Sequence, residues 1–401
     1  MRGVHVSGLG VLTQSGSSLK RFWDGLVDPS PVFAPPSGCP GVDVPVAEIR
    51  GTEWIAGAGV ARPALCDRSA LLAVAAARAA LADAALDADL PDPDRVAVVV
   101  GSGAPGIATL DEQYERLYRQ RANRLSPLTV PKSMGSSAAS WISMTFGFRG
   151  PAFVVASACA AATHAIGVAA QLVESGAVDV AVCGGSEACL VEGSLRAWES
   201  LGVLAKDTCR PFAAGRTGLV LAEGAGMLVL ESAAHARARG FTPRAQVAGF
   251  GASADAGHLT RPSASGMAAA MTGALRSAAV APDEIDYVNA HGTGTPTNDP
   301  AETTALKTVF GADSVPVMSS TKGTTGHALG ASGGIEAVVA VLAIEHGVVP
   351  PTANFDGPDP DCDLDCVPNT AREHRTRLVM SNSFAFGGLN ASIVFGRPQA
   401  A

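Results

Sequence analysis

The 401-residue sequence has little charge and few aromatic rings: Asp, Glu, Lys and Arg make up 16% of it, and Phe, Trp and Tyr only 5%. Lysine is scarce, with five residues, and the formal net charge is −8. A balance so sparse and negative argues against nucleic-acid binding. The eight cysteines (Cys39, Cys66, Cys159, Cys183, Cys189, Cys209, Cys362, Cys366) form no CxxC pair and have no clustered histidines beside them. No zinc or other metal site is therefore expected. No apolar run reaches the ~18–20 residues that a bilayer demands. The opening MRGVHVSGLGVLTQSG carries one basic residue and is broken by Gly and Ser, so it reads as a strand and not as a leader. A cytoplasmic protein with no membrane association is expected.

Hydrophobic residues make up 47% of the chain, and there are 45 glycines, enough for a large core with closely approaching backbones. Val4–Gly10 (VHVSGLG), Arg95–Gly101 (RVAVVVG) and Val178–Cys183 read as strands, and Asp67–Leu86 and Ala160–Glu174 as helices. Asp111–Arg124 also reads as helical. Gly218–Glu231 reads as two strands about a Gly-rich turn. The second half repeats the order. Gln246–Gly251 (QVAGFG) echoes Val4–Gly10, and Ile285–Gly292 echoes the strand ending at Gly101. Val315–Ser320 with the helix Ala331–His346 echoes the unit around residue 159, and Leu378–Phe395 again reads as strand, turn, strand. The chain thus reads as two similar α/β halves, residues 1–241 and 242–401, joined near Arg237–Thr242. Strands covered on both faces imply layers.

Within the run FVVASACAAATHAIG, Cys159 falls between a β-branched strand and an Ala-rich helix. The free N–H groups and the positive dipole end of that helix are expected to favour its thiolate, the nucleophilic form. His291 follows a strand in NAHGTGT, and His327 lies in STKGTTGHALG, five residues after Lys322. In a duplicated fold these positions read as the ends of central strands facing one pocket. A thiolate can take an acyl group from a thioester and hold it as a new thioester. Neutral imidazoles can donate N–H bonds to an oxygen that turns negative, as in an enolate. Gly387 and Gly388, after Phe386, would let backbone N–H groups approach the reacting carbonyl.

Four runs, SACAAATHAIG, NAHGTGTPTNDPAE, SSTKGTTGHALGASGGIE and NSFAFGGLN, resemble the β-ketoacyl-ACP synthases in order and spacing. The likeness is greatest to the elongating enzymes of fatty-acid synthesis and to ketosynthases of type II polyketide systems. It implies an α/β thiolase fold, a duplicated five-layer α-β-α-β-α sandwich with mixed central sheets. It also implies a 3-oxoacyl-ACP synthase, an acyltransferase that forms C–C bonds. By resemblance, Cys159 accepts the acyl chain, and His291 and His327 stabilise the enolate left when malonyl-ACP loses carbon dioxide. Lys322 supports His327, with Glu336 in the buried network behind. The N–H groups of Cys159 and Phe386 form the oxyanion hole, and Phe386 gates entry. Thr293 and Thr295 hydrogen-bond the phosphopantetheine arm, which comes with the carrier, so the protein binds no cofactor of its own. The partners implied are acyl carrier protein and a second subunit, either another copy or a chain-length-factor-like homologue, with Met134–Ile142 lining that interface.

The sequence departs from the family at Ala385, where Gly precedes the gating Phe, and at Leu389, where Thr follows the glycines. Ala213 and Thr217 stand where acids are usual, and Leu219 stands where Phe is usual. Ala385 is expected to restrict the gate, and Leu219 to reshape the acyl pocket. Arg62, Arg68 and Lys206 fall where the family docks its carrier; the arginines from Arg116 to Arg124 are a second candidate patch. The PPTANFDGPDPDCDLDCVPNTAREHR run leans toward the polyketide branch. Two other functions fit the motifs less well. One is a non-catalytic chain-length-factor-like subunit, which would lack Cys159. The other is a Cys-dependent acyltransferase or thioesterase, which would need a base to activate water.

Overall fold

The computed structural model of the chain describes residues 3–87 and 92–398, so the outermost ends of the two expected halves lie outside it. The N-terminal strands are β1 (Val4–Leu12), β2 (Val96–Gly101), β3 (Ala152–Val155), β4 (Val180–Glu187) and β5 (Gly224–Ser232). The C-terminal strands are β6 (Ala245–Ala254), β7 (Tyr287–Asn289), β8 (Val317–Ser319), β9 (Leu378–Ala385) and β10 (Leu389–Gly396). They form one ten-stranded sheet in the order β8-β7-β9-β10-β6-β1-β5-β4-β2-β3.

The order is nearly its own mirror image. Reading inward from either end gives two parallel steps and then two antiparallel ones. Within the sheet, the two half-sheets are joined by the pairing of β1 with β6, His5↔Gln246 and Val6↔Ala245. Even the irregularities correspond: β1 slips register against β5 between Val6 and Gly8, and β6 slips against β10 between Val247 and Gly249.

Four helices make the layers. Helix α1 (Arg68–Asp83) packs on β1 and β5, and α3 (Ala264–Ala278) on β6 and β10. Between the half-sheets lie α2 (Ala161–Glu174) and α4 (Ser332–His346), which touch each other and strands of both halves. The result is the five-layer duplicated sandwich expected from the resemblance. Glycines set the spacing. A Cβ on Gly10 would stand 1.9 Å from the Ala76 carbonyl oxygen of α1, and one on Gly251 would stand 2.2 Å from that of Ala270 in α3. The echo between VSGLG and VAGFG thus has a physical cause: each strand lies directly against an Ala-rich outer helix.

Two expectations need correction. Leu329–His346 is, by length and hydropathy, an 18-residue stretch apolar enough to cross a bilayer, and 89% of it is buried inside the protein. It is the central core helix with its preceding turn, apolar all round because both sheets cover it. The helix expected at Asp111–Arg124 runs instead from Ile107 to Tyr118. Gly106, at φ 71°, starts it early, and Arg121, at φ 56°, follows its end.

Candidate active site

Cys159 sits on a single 3₁₀ turn, Ala158–Ala160, between β3 and α2. Ala158 adopts φ 47°, a left-handed conformation costly to a residue with a Cβ. The residue is 7% exposed, and burial pushes its thiol up to about 12. The Lys322 ammonium and the residue's own N–H oppose that rise, while Glu187 and Glu336 add to it. Burial thus opposes the thiolate that the helix end was expected to favour, and the helix proper begins two residues later, at Ala161.

His291 follows β7. The N–H groups of His291 and Gly292 both donate to the Glu302 carboxylate at 2.8 Å. Glu302 belongs to the buried helix Asn298–Phe310, and burial raises its carboxyl to about 7. His327 is held by its N–H to the Val220 carbonyl at 2.7 Å, and its Nδ1 meets the Ser332 hydroxyl at 2.8 Å. Ser332 is the first residue of α4. The two imidazoles lie 5.3 Å apart and nearly perpendicular, at 84°. Burial and the Lys322 charge hold both well below the usual histidine range, so both are neutral near pH 7.

Lys322 is completely buried. Its ammonium forms an ion pair with Glu336 of α4 and donates to the His291 carbonyl at 2.5 Å. The expectation that Lys322 serves His327 is thus incomplete. Its hydrogen bond belongs to the His291 segment, and its charge acts on both rings. Burial raises the Glu336 carboxyl, and the adjacent ammonium pulls it back.

One cavity of about 550 Å³, open mouth included, gathers Cys159, His291, His327, Thr293, Thr295, Leu219, Ala385, Phe386 and Gly388. The sequence is right that distant residues converge, but not about how. Cys159 follows β3, at one end of the strand order, and His327 comes after β8, at the other end. They meet because the sheet folds over α2 and α4. Ala385 lies at φ −117°, ψ 156°, which any residue adopts, so the observed turn carries no strain there. Gly387 (φ 81°) and Gly388 (φ 69°) do need glycine. The Gly387 N–H, expected to face the reacting carbonyl, instead donates to the Leu259 carbonyl at 2.6 Å, and Gly387 is not part of the cavity wall.

A second, mostly apolar cavity of about 1010 Å³, its opening included, shares Cys159, Trp198 and Phe386 with the first. Ile107, Leu110, Tyr114 and Leu329 complete its apolar wall. Trp198 and Phe386 stack at 6.0 Å and 20°, dividing the two spaces. Sequence reasoning missed Trp198, because no local pattern announces a partner 188 positions away. It also missed Glu302, although that residue closes the quoted NAHGTGTPTNDPAE run.

The carrier-docking expectation divides. Arg62 and Lys206 are exposed. Arg68 is not a free cation: it makes two bonds of 2.7 Å to the buried Glu223, donates to the Ile49 carbonyl at 2.8 Å, and lies over the Trp54 ring. Arg119, in the second candidate patch, pairs with Glu192 at 3.0 Å.

Comparison with known proteins follows the same outline. Residues 53–236 match the family model described as "Beta-ketoacyl synthase, N-terminal domain", and residues 244–356 match "Beta-ketoacyl synthase, C-terminal domain". Nodulation protein E of Rhizobium sp. (strain N33) is 43% identical over 98% of this chain and 99% of its own length. The 3-oxoacyl-[acyl-carrier-protein] synthase 2 of Coxiella burnetii is 36% identical over 99% of each chain. Among solved structures, "The ishigamide ketosynthase/chain length factor" superposes with a TM-score of 0.93 and 34% identity over 99% of each chain.

Proposed function

The chain belongs to the β-ketoacyl synthase family of condensing enzymes, and from that premise we propose which of its residues carry the reaction. The substrates are acyl and malonyl groups on acyl carrier protein. The Cys159 sulfur attacks the acyl thioester carbonyl, and the carrier's sulfur leaves with the thiol proton, so Cys159 holds the acyl group. Malonyl-carrier then enters beside the imidazoles. Its carboxyl–carbon bond breaks, carbon dioxide departs, and the electron pair becomes an enolate. His291 and His327 donate N–H bonds to the enolate oxygen; the Ser332 hydroxyl, donating to Nδ1 of His327, leaves the Nε2 proton facing the cavity. The enolate carbon attacks the acyl-Cys159 carbonyl, a C–C bond forms, and the Cys159 sulfur leaves and regains a proton.

The observation that carries this reading is the pair of neutral, nearly perpendicular imidazoles sharing one cavity with a buried thiol. A neutral imidazole stabilises an enolate as a hydrogen-bond donor without giving up its proton. The N–H groups of Cys159 and Phe386 serve as the oxyanion hole, and Thr293 and Thr295, whose hydroxyls meet at 2.9 Å, bind the carrier's arm. Lys322 and Glu336 position the His291 segment from behind, and Leu219 shapes the pocket. Arg62 and Lys206 face the carrier protein.

The enzyme is soluble and cytoplasmic, needs no cofactor beyond the carrier's phosphopantetheine, and pairs with a second copy or with a chain-length-factor-like subunit. Type II polyketide synthesis is the favoured pathway. A non-catalytic partner role is not favoured, since Cys159 is present. Hydrolysis is not favoured either, because no carboxylate is hydrogen-bonded to either imidazole ring among the described residues.

The test separates the two half-reactions. Cys159→Ala is expected to abolish acyl transfer while leaving carbon dioxide release from malonyl-carrier. His291→Ala and His327→Ala are each expected to slow that release by about 10²–10³ while Cys159 still loads. Condensation at the wild-type rate by Cys159→Ala would sink the proposal.

A further inference from the structure

The wall of the catalytic cavity carries two formal charges, Asp255 and Arg261. Asp255 is fully engaged: one oxygen accepts from the Ser263 N–H at 3.0 Å and the other from the Asn390 amide at 2.7 Å. Arg261 is exposed and forms no ion pair among the described residues, whereas about half of the other arginines are paired with an acid. It is thus the one permanent, uncommitted cation of the cavity. Exposure also orders the wall. Cys159, His291 and His327 lie 1–7% exposed at the floor, Thr293 and Thr295 at 5% and 8%, and Thr260, Thr297 and Arg261 are exposed at the rim. The segment bearing Arg261 is held in place by the Leu259 carbonyl, which accepts from Gly387 at 2.6 Å.

We propose that Arg261 binds the phosphodiester of the carrier's arm at the mouth of the cavity. This rests on the ketosynthase reading above and names a contact which that reading leaves open. A phosphopantetheine arm is a neutral chain of amides and hydroxyls with one charge, at the end opposite its sulfur. When the sulfur is at Cys159, that charge lies toward the rim. A guanidinium matches phosphate oxygens through two parallel N–H bonds, and the Thr260 and Thr297 hydroxyls offer further donors. With Arg68 committed to Glu223, Arg261 is the cation placed to read the arm itself and not the carrier protein's surface.

The experiment loads Cys159 from two small thioesters, an acyl-phosphopantetheine and the same acyl-pantetheine without phosphate, and follows the mass of the intact protein. The wild type is expected to load the phosphorylated arm about tenfold faster at low concentration, the size of one charge-assisted contact at a solvated site. Arg261→Ala is expected to erase that preference by slowing the phosphorylated arm alone, and Arg261→Lys to keep part of it. Arg276→Ala, an exposed arginine outside the cavity wall, is expected to leave the preference intact. Equal loading of both arms by the wild type, or an unchanged preference in Arg261→Ala, overturns the assignment of Arg261. No loading of wild-type Cys159 from either arm would overturn the ketosynthase reading beneath it.

Discussion

The turns Ala158–Cys159–Ala160 and Leu329–Gly330–Ala331 occupy matching places in the two halves, each opening a central helix. Their backbones agree closely: the first residue has φ 47° in one and 44° in the other, a left-handed conformation unusual for Ala and Leu. They also pack against each other. Their fates differ. The Gly330 N–H is captured at 3.0 Å by Glu187, which also accepts from Ser102, Gly103 and Ala104. Gly330 cannot bear a side chain, because a Cβ would stand 2.2 Å from the Gly103 nitrogen. At the other turn that place holds a sulfur facing two cavities. Duplication supplied two strained turns; one was closed with a carboxylate to make a wall, and the other was left open for chemistry. Strain of about 1–3 kcal/mol at each is borne by the packing around it.

The largest expected effect lies at the open turn. Alkylation by iodoacetamide proceeds through the thiolate, so the rate at Cys159 follows the thiolate fraction. With a thiol raised to about 12, the rate should climb by about tenfold per pH unit from pH 7 through pH 10 without levelling. Peptide mass mapping of the Cys159 adduct against time measures this. A plateau near pH 8 to 9 would mean that the dipole and the Lys322 charge win over burial after all, as the sequence alone suggested.

The closed turn offers the next effect, on stability. Burial raises the Glu187 carboxyl to about 7, above its value in an unfolded chain. Between those two values the folded state holds the extra proton. The contribution to stability is therefore complete below about pH 4.5 and is lost as pH rises through 7. The span corresponds to about 3 kcal/mol for this one group. Urea unfolding should show the wild type losing stability between pH 5.5 and 8, with a shallower loss in Glu187→Gln. Glu302 and Glu336, also raised, keep part of the slope in the variant. Identical slopes in both proteins would show that Glu187 is already ionised at pH 5.5, held so by its four donors.

What could be read from the sequence follows from the range of each cause. The strand–turn–helix around Cys159, the glycine spacing of β1 and β6, and the motifs holding His291, Lys322, His327 and Glu336 are local patterns, and they survive into the structure. The burial that opposes ionisation of Cys159 was not legible, because it is decided by cavity walls drawn from the whole chain. Arg68 was misjudged because its acid, Glu223, lies 155 positions away. The Gly387 N–H was misassigned because its acceptor sits on a loop with no sequence link to the turn. Short-range chemistry was legible; anything settled by a partner from another layer was not.

The smallest expected effect concerns the partition that only the open turn possesses. Trp198 and Phe386 stack between the cavity that holds the imidazoles and the apolar cavity, both of which reach Cys159. Leu329, from the closed turn, lines the apolar cavity together with Ala158 and Cys159 of the open one, so the two turns jointly bound that space. Trp198→Ala removes one leaf of the partition and leaves Cys159, both imidazoles and the Thr293 and Thr295 hydroxyls in place. Loading of a graded series of straight-chain acyl-carriers should then lose discrimination by about three- to tenfold, the worth of about 1 kcal/mol of aromatic contact. Carbon dioxide release from malonyl-carrier should not change. A matching loss of release would mean that Trp198 supports the imidazole side as well, and that the two cavities act as one compartment.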